Sequence, residues 1–228
     1  MRAYTGGKAS PGIYQTIINQ MPPHTCYVEA FLGAGAVLRH KRPAAASIAI
    51  DRDADVLAER WKGDEVPGLT LMCGDALEIL AGREWQGNEL VYLDPPYPMA
   101  TRRSRRRYYR HELSDEDHAR LLQIVTALPV PTLISSYWSR LYGEALAGWR
   151  SITFPGRNRR NEPATEWLWM NYPEPETLHD YQYLGTTYRE RERIKRQQKT
   201  WRDRLVRMSV LQRQALLSAI DDLGISHR

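Results

Sequence analysis

The chain has 228 residues, 42% of them hydrophobic, and a formal net charge of +5. That size and apolar share suit one globular domain with a small appendage and exclude a fibrous or largely disordered chain. No apolar run could span a membrane, no secretory segment opens the chain and no His/Cys cluster has metal-ligand spacing, so neither a membrane protein nor a metal centre is expected.

Taken in order, Tyr4-Thr5-Gly6-Gly7-Lys8 places two glycines where backbone must approach closely or turn left-handed. Ser10-Pro11 reads as the N-cap and first position of a helix carrying Ile13, Tyr14, Ile17 and Ile18 on one face, ended by Pro22-Pro23. Cys26–Phe31 reads as the first core strand. It runs into Gly33-Ala34-Gly35 and a helix, the arrangement that cradles nucleotides. Ala46–Ile50 is the next strand. Asp51 after it stands where a ribose diol is held, or else caps a helix from Ala54 to Trp61, a role open also to Asp53. Leu69–Cys73 is a third strand, and Asp75 either caps the helix Ala76–Leu80 or accepts from an adenine amine. Cys26 and Cys73, far apart in apolar runs, read as buried free thiols.

Leu90–Leu93 reads as a buried parallel strand. It stops at Asp94-Pro95-Pro96-Tyr97, because proline cannot continue a ladder. Ligands in open α/β sheets bind just beyond the carboxyl ends of strands. There Asp94 and the Pro95 carbonyl offer acceptors for both hydrogens of an exocyclic amine, and Tyr97 offers a face on which a base can stack. The plainer reading is a tight Pro-Pro turn.

The stretch 98–113 breaks the pattern with Arg102, Arg103, Arg105, Arg106, Arg107 and Arg110, interleaved with Tyr108 and Tyr109. The helix Asp115–Ala127 follows, with Ser114 and Asp117 as a capping box. Thr132–Ser135 is a fifth strand, Leu141–Leu146 a helix, and Ile152–Phe154 with Glu166–Asn171 a closing antiparallel pair. Their link carries Arg157, Arg159 and Arg160. Last comes a basic helix, Tyr188–Met208, and a second helix opened by the capping box Ser209–Gln212. This helical hairpin presents either a solvated basic face or one that tracks phosphates.

The N-terminal Gly-Gly-Lys, the run Glu29-Ala30-Phe31-Leu32-Gly33-Ala34-Gly35 and Asp94-Pro95-Pro96-Tyr97, with Asp51 between the last two, together resemble the Dam-type DNA adenine N6-methyltransferases, including short phage and prophage members. The resemblance covers most of residues 1–175. It implies an α/β fold, a Rossmann-like doubly wound methyltransferase sheet binding S-adenosylmethionine, here followed by the basic C-terminal helical hairpin. The methyltransferase domain is then 1–178, with an arginine-rich insertion at 98–113, and the extension 179–228. It implies a catalytic role for Asp94, Pro95, Pro96 and Tyr97, and cofactor binding by Tyr4, Lys8, Phe31, Gly33, Gly35, Asp51, Asp75 and Asp94. DNA is the expected partner, and the arginines and tyrosines of 102–110 with Arg157, Arg159 and Arg160 are the expected nucleic-acid contacts. A monomer in the cytoplasm of a bacterial or phage-infected cell is expected, in a restriction–modification or self-protection role.

The chain departs from the family in one respect. Only Ala76–Glu89 separates the third strand's turn from the fourth strand, so no target-recognition domain fits there. Asp94 argues against N4-cytosine enzymes, which usually carry Ser at that position, and against glutamine methyltransferases, which carry Asn. Adenine methylation of RNA, and a catalytically silent nucleic-acid-binding module of the same fold, are the alternatives.

Overall fold

The computed structural model describes residues 8–63, 66–102, 110–157 and 162–223. Two units result, Met1–Tyr183 and Leu184–Arg228.

The first unit is built on seven strands: β1 (Cys26–Ala30), β2 (Ala46–Asp51), β3 (Leu69–Cys73), β4 (Glu89–Leu93), β5 (Thr132–Ser136), β6 (Arg150–Arg157) and β7 (Pro163–Met170). They form one sheet in the order β3-β2-β1-β4-β5-β7-β6, parallel except for β7, which is antiparallel to both β5 and β6. Every residue of β1, β4 and β5 is buried. Alternation explains this. Val28, Ala30, Val91 and Leu93 point into one apolar layer, with residues of α4 (Ala76–Gly82), α5 (Asp115–Thr126) and α6 (Arg140–Ala145). Tyr27, Leu90 and Tyr92 point into the other, with α1 (Ile13–Ile18) and α2 (Ala36–His40). A strand covered on both faces has no solvent-facing side, hence the continuous apolar run Leu90–Leu93 of β4. Leu90, Val91 and Leu93 are fully buried, and truncating one such side chain to alanine costs about 2–5 kcal/mol.

The chain winds outward from β1 through β2 to β3, joined by α2 and by α3 (Ala54–Arg60), then returns to lay β4 on the other side of β1. The strand order reverses there, which opens a crevice beyond the carboxyl ends of β1 and β4. Phe31–Gly35 and Asp94–Tyr97 follow those two ends.

Three local expectations need correction. The first helix starts at Ile13: Ser10 accepts from the Ile13 N–H across a turn, and Gly12, at φ 95°, supplies the left-handed bend that a Ser-Pro start cannot. That helix ends at Asn19, before the prolines. Cys73 is exposed rather than buried, because β3 is an edge strand. The Ser114–Asp117 box forms as expected, with N–H···O distances of 3.1 and 2.9 Å.

The second unit holds α7 (Tyr188–Arg207) and α8 (Val210–Asp222), capped by Thr187 and by the Ser209–Gln212 box. Neither helix buries a residue. No described helix is long and apolar enough to cross a membrane.

Candidate active site

Proline at 95 and 96 frees the backbone from the sheet, and only a 3.4 Å bond from the Asp94 N–H to the Ala30 carbonyl continues the ladder. The Asp94 side chain, 18% exposed, meets Lys8, which is 5% exposed. The Lys8 ammonium donates to Asp94 Oδ1 at 2.7 Å, to Oδ2 at 2.9 Å and to the Tyr97 hydroxyl at 2.7 Å. Tyr97 in turn donates to Glu166 Oε2 at 2.7 Å, and Lys8 lies 3.3 Å from the same oxygen. Ser135, fully buried one register step beyond the β4–β5 pairing, donates to Asp94 Oδ1 at 2.8 Å, and the Tyr92 hydroxyl lies 3.1 Å from its Oγ. The Tyr137 ring stands edge-on to Tyr97 with centroids 4.5 Å apart.

Burial pushes the Asp94 carboxyl above its usual range, while the Lys8 ammonium and the Ser135 bond pull it down and Glu166 pushes it up. Burial, then the charges of Glu166 and Asp94, hold the Tyr97 phenol well above its ordinary value. Behind this group, Glu29 on β1 is pushed up to about 8 by burial, with the Tyr27 hydroxyl bonded to it at 2.8 Å opposing the shift.

The glycine loop is held by β2. Asp51 accepts from the Gly33 N–H at 2.7 Å and from the Asp53 N–H at 2.9 Å. Phe31, Gly33 and Gly35 all have positive φ, and an added Cβ at Gly35 would lie 2.1 Å from the Trp61 ring. Trp61 also donates its indole N–H to the Gly33 carbonyl at 3.3 Å. Asp53, not Asp51, caps α3, and Asp75 caps α4 through Oδ1 while its Oδ2 lies 3.5 Å from Arg52.

Arg102 is a correction. Read as a phosphate-facing cation, it is instead turned inward, 7% exposed, with a forked bond to Glu112 at 2.9 and 2.7 Å and a third to the Tyr97 carbonyl at 2.7 Å. A guanidinium beside a buried carboxylate is worth more paired than exposed. Arg110 is 64% exposed and pairs with Asp55 and with Asp53. Tyr4, Arg103, Arg105, Arg106, Arg107, Tyr108, Tyr109, Arg159 and Arg160 lie outside the described residues, and Arg157 ends β6.

Sequence reasoning passed over Glu166, Ser135, Tyr137 and Tyr92. A signal existed for Glu166: a single carboxylate inside the aromatic and aliphatic run ending at Met170.

Residues 58–154 match the model of the D12 class N6 adenine-specific DNA methyltransferases. The D12-class match takes in Asp75, Asp94–Tyr97, Ser135 and Tyr137, and bears out the resemblance drawn from the sequence. No curated protein sequence matches the chain. Among solved structures, a SAM-dependent methyltransferase from Anabaena variabilis superposes with a TM-score of 0.50 at 9% identity, over 75% of this chain and 86% of that one. A spermidine synthase from Thermotoga maritima gives 0.49 at 12% identity over 73% and 61%, and the 23S rRNA methyltransferase ErmE gives 0.44 at 14% over 73% and 68%. At such identities the likeness is one of fold: a seven-stranded, mostly parallel, Rossmann-like sheet, as the sequence predicts.

The D12-class match and the fold imply S-adenosylmethionine as cofactor. The donor set suits it. Asp51 ends β2, Asp75 and Asp94 stand just beyond the carboxyl ends of β3 and β4, and Asp51 and Asp75 are the partly exposed acceptors a ribose diol or an adenine amine requires. Lys8, Asp94 and Glu166 in their charged forms sum to one negative charge, complementary to a sulfonium.

Proposed function

We propose that this protein transfers a methyl group from S-adenosylmethionine to N6 of an adenine in DNA. The observation that carries the reading is the carboxylate of Asp94, shielded from water beside Tyr97 and held in place by Lys8 and Ser135 at the mouth of the crevice. The D12-class match supports adenine as the acceptor. When bound, the cofactor supplies an electrophilic methyl on sulfur.

The protein's own residues prepare the acceptor. The adenine amine is a poor nucleophile because its lone pair is delocalised into the ring. Asp94 Oδ2, which accepts from Lys8, has a second lone pair able to take an N6 hydrogen. The Pro95 carbonyl, on a backbone fixed by two ring-locked residues, takes the other. Acceptance of both hydrogens favours a pyramidal nitrogen with an available lone pair, and because the acceptors are already oriented, little reorganisation accompanies reaction. Asp94 is also the nearest base for the proton lost after transfer. Tyr97 has its hydroxyl tied to Lys8 and Glu166, so its ring is fixed as a platform for a base taken out of the stack. Asp51 and Asp75 do not enter this step; they hold the cofactor's ribose and adenine.

The test is transfer of labelled methyl to adenine-containing duplex DNA, with adenine-free DNA and adenine-containing RNA alongside. Label in N6-methyladenine from DNA is the expected result. Label in RNA alone, or in cytosine, overturns the substrate. No transfer to any nucleic acid by cofactor-saturated protein overturns the reaction.

A further inference from the structure

The helix α7 lies outside the candidate active site and outside the D12-class match. Nine of its residues are basic and three acidic, a surplus of six against a net +5 for the whole chain, so the remaining residues are together slightly acidic. The positive charge of this protein is segregated.

Its placement along α7 is ordered. At about 100° per residue, Arg189, Arg193, Arg196, Arg204 and Arg207 fall within one arc of roughly 80°, at successive steps of four, three, eight and three residues. All five are exposed. Thr200 fills the double step. Arg191, Lys195, Lys199 and Arg202 form a second ridge, Glu192 and Asp203 lie between the two, and a narrow stripe of Ile194, Trp201 and Leu205 occupies the remaining side. Arg191 is engaged with the carbonyls of Gly185 and Thr186 at 3.4 and 3.3 Å, and Glu190 closes the helix start on the Thr186 N–H at 2.9 Å. The five-arginine ridge runs from Arg189 to Arg207, roughly 27 Å at about 1.5 Å per step. One DNA strand presents about eight phosphates over that length.

We propose that the Arg189–Arg207 ridge of α7 is a second nucleic-acid contact, which grips the phosphate backbone of duplex DNA without reading its sequence. The inference rests on the proposed DNA methyltransferase function and names a second surface by which that protein holds its substrate. A buried role does not account for the ridge, since α7 buries no residue; Arg204 alone stands over a ring, that of Trp201 at 5.3 Å, which leaves its charge exposed. An anionic membrane surface is the other polyanion a basic amphipathic helix fits. The narrow apolar stripe, flanked by cations on both sides, and the DNA reading of the site favour phosphodiester over lipid. Phosphate contacts position a protein and carry no base information, so this ridge adds affinity without specificity.

The test uses the full chain. One variant carries Arg193→Gln, Arg196→Gln and Arg204→Gln, glutamine being a good helix former. A second carries Lys62→Gln, Arg120→Gln and Arg140→Gln, the same change in net charge on exposed positions of the first unit. Binding of a duplex of random sequence is followed by anisotropy across a salt series, with helicity and cofactor affinity as controls on folding. The slope of log K against log salt should flatten by about 0.9 per lost contact, close to 2.7 for the ridge variant, and keep its wild-type value in the control. Equal slopes in the two variants overturn the proposal. So does an unchanged DNA slope with lost binding to phosphatidylserine vesicles, which assigns the ridge to a membrane surface. If wild type methylates DNA but the ridge variant binds like wild type, only the ridge assignment falls. If wild type binds no DNA at all, the functional reading falls with it.

Discussion

Lys8 engages both oxygens of Asp94 and the hydroxyl of Tyr97, so an incoming amine meets an acceptor already shared with an ammonium. Replacing Asp94 tests how much of the reaction depends on it. Asp94→Ala should lower the rate of methyl transfer by about 10²–10³, the usual loss for one preorganised electrostatic group, with helicity retained. Measured kcat at saturating cofactor and DNA decides it, and near wild-type turnover would place the chemistry elsewhere. Glu166→Gln keeps an acceptor for the Tyr97 hydroxyl but removes the charge 3.3 Å from Lys8. A charge-assisted bond is worth about 1.5–3 kcal/mol, so kcat should fall about ten- to hundredfold while cofactor affinity stays close to wild type. A matching loss in cofactor affinity would mean that Glu166 only supports the crevice.

At the scale of elements, the glycine loop depends on two supports, Asp51 and Trp61. Asp51→Ala frees the Gly33 and Asp53 N–H groups together and removes the proposed ribose acceptor. Cofactor affinity should drop about ten- to hundredfold, from about 1.5–3 kcal/mol, measured by calorimetric titration without DNA. An unchanged affinity would leave Asp51 as a loop anchor alone. Gly35→Ala places a Cβ 2.1 Å from Trp61 at φ +59°. Strain of about 1–3 kcal/mol should lower the thermal midpoint by several degrees, and an unchanged midpoint would mean that Trp61 moves freely. These elements were legible in the sequence to differing degrees. Strands β1, β4 and β5 were legible because burial on both faces keeps most of their residues apolar, although Glu29, Glu89, Thr132, Ser135 and Ser136 interrupt the pattern. The Lys8–Asp94–Tyr97–Glu166 group did not. Lys8 and Glu166 lie far in sequence from Asp94 and Tyr97, and Glu166 reaches Tyr97 only because β7 runs antiparallel beside β5. The inward turn of Arg102 was equally hidden, since composition places an arginine in a basic run without saying which one meets Glu112.

For the whole molecule, the buried residues Glu29 and Lys41 tie stability to pH. Burial pushes Glu29 up to about 8 from 4.5. The folded state therefore binds that proton more tightly than the unfolded state, and stability is lost as the pH rises from about 4.5 through about 8. Lys41 is held down at about 8 from 10.5, first by burial, with Glu29 pulling the other way. Its proton leaves the folded state first, so stability recovers between those two values. The urea midpoint should accordingly pass through a minimum near pH 8. Glu29→Gln should remove the falling limb, and a midpoint that still declines through that window in the variant would assign the decline to another group.

The tie between Lys8 and Asp94 spans 86 residues, and Glu166 lies farther along still. On the ribosome the lysine emerges first and the strand that completes its surroundings emerges among the last of the sheet. A nascent chain that has reached Ser135 already holds the central strands, the carboxylate and the lysine, yet lacks the partner that fixes Tyr97. The Lys8–Asp94–Tyr97–Glu166 group can therefore be complete only after β7 has paired with β5. A translation product ending before Glu166 would hold Lys8 and Asp94 without the carboxylate that accepts from Tyr97.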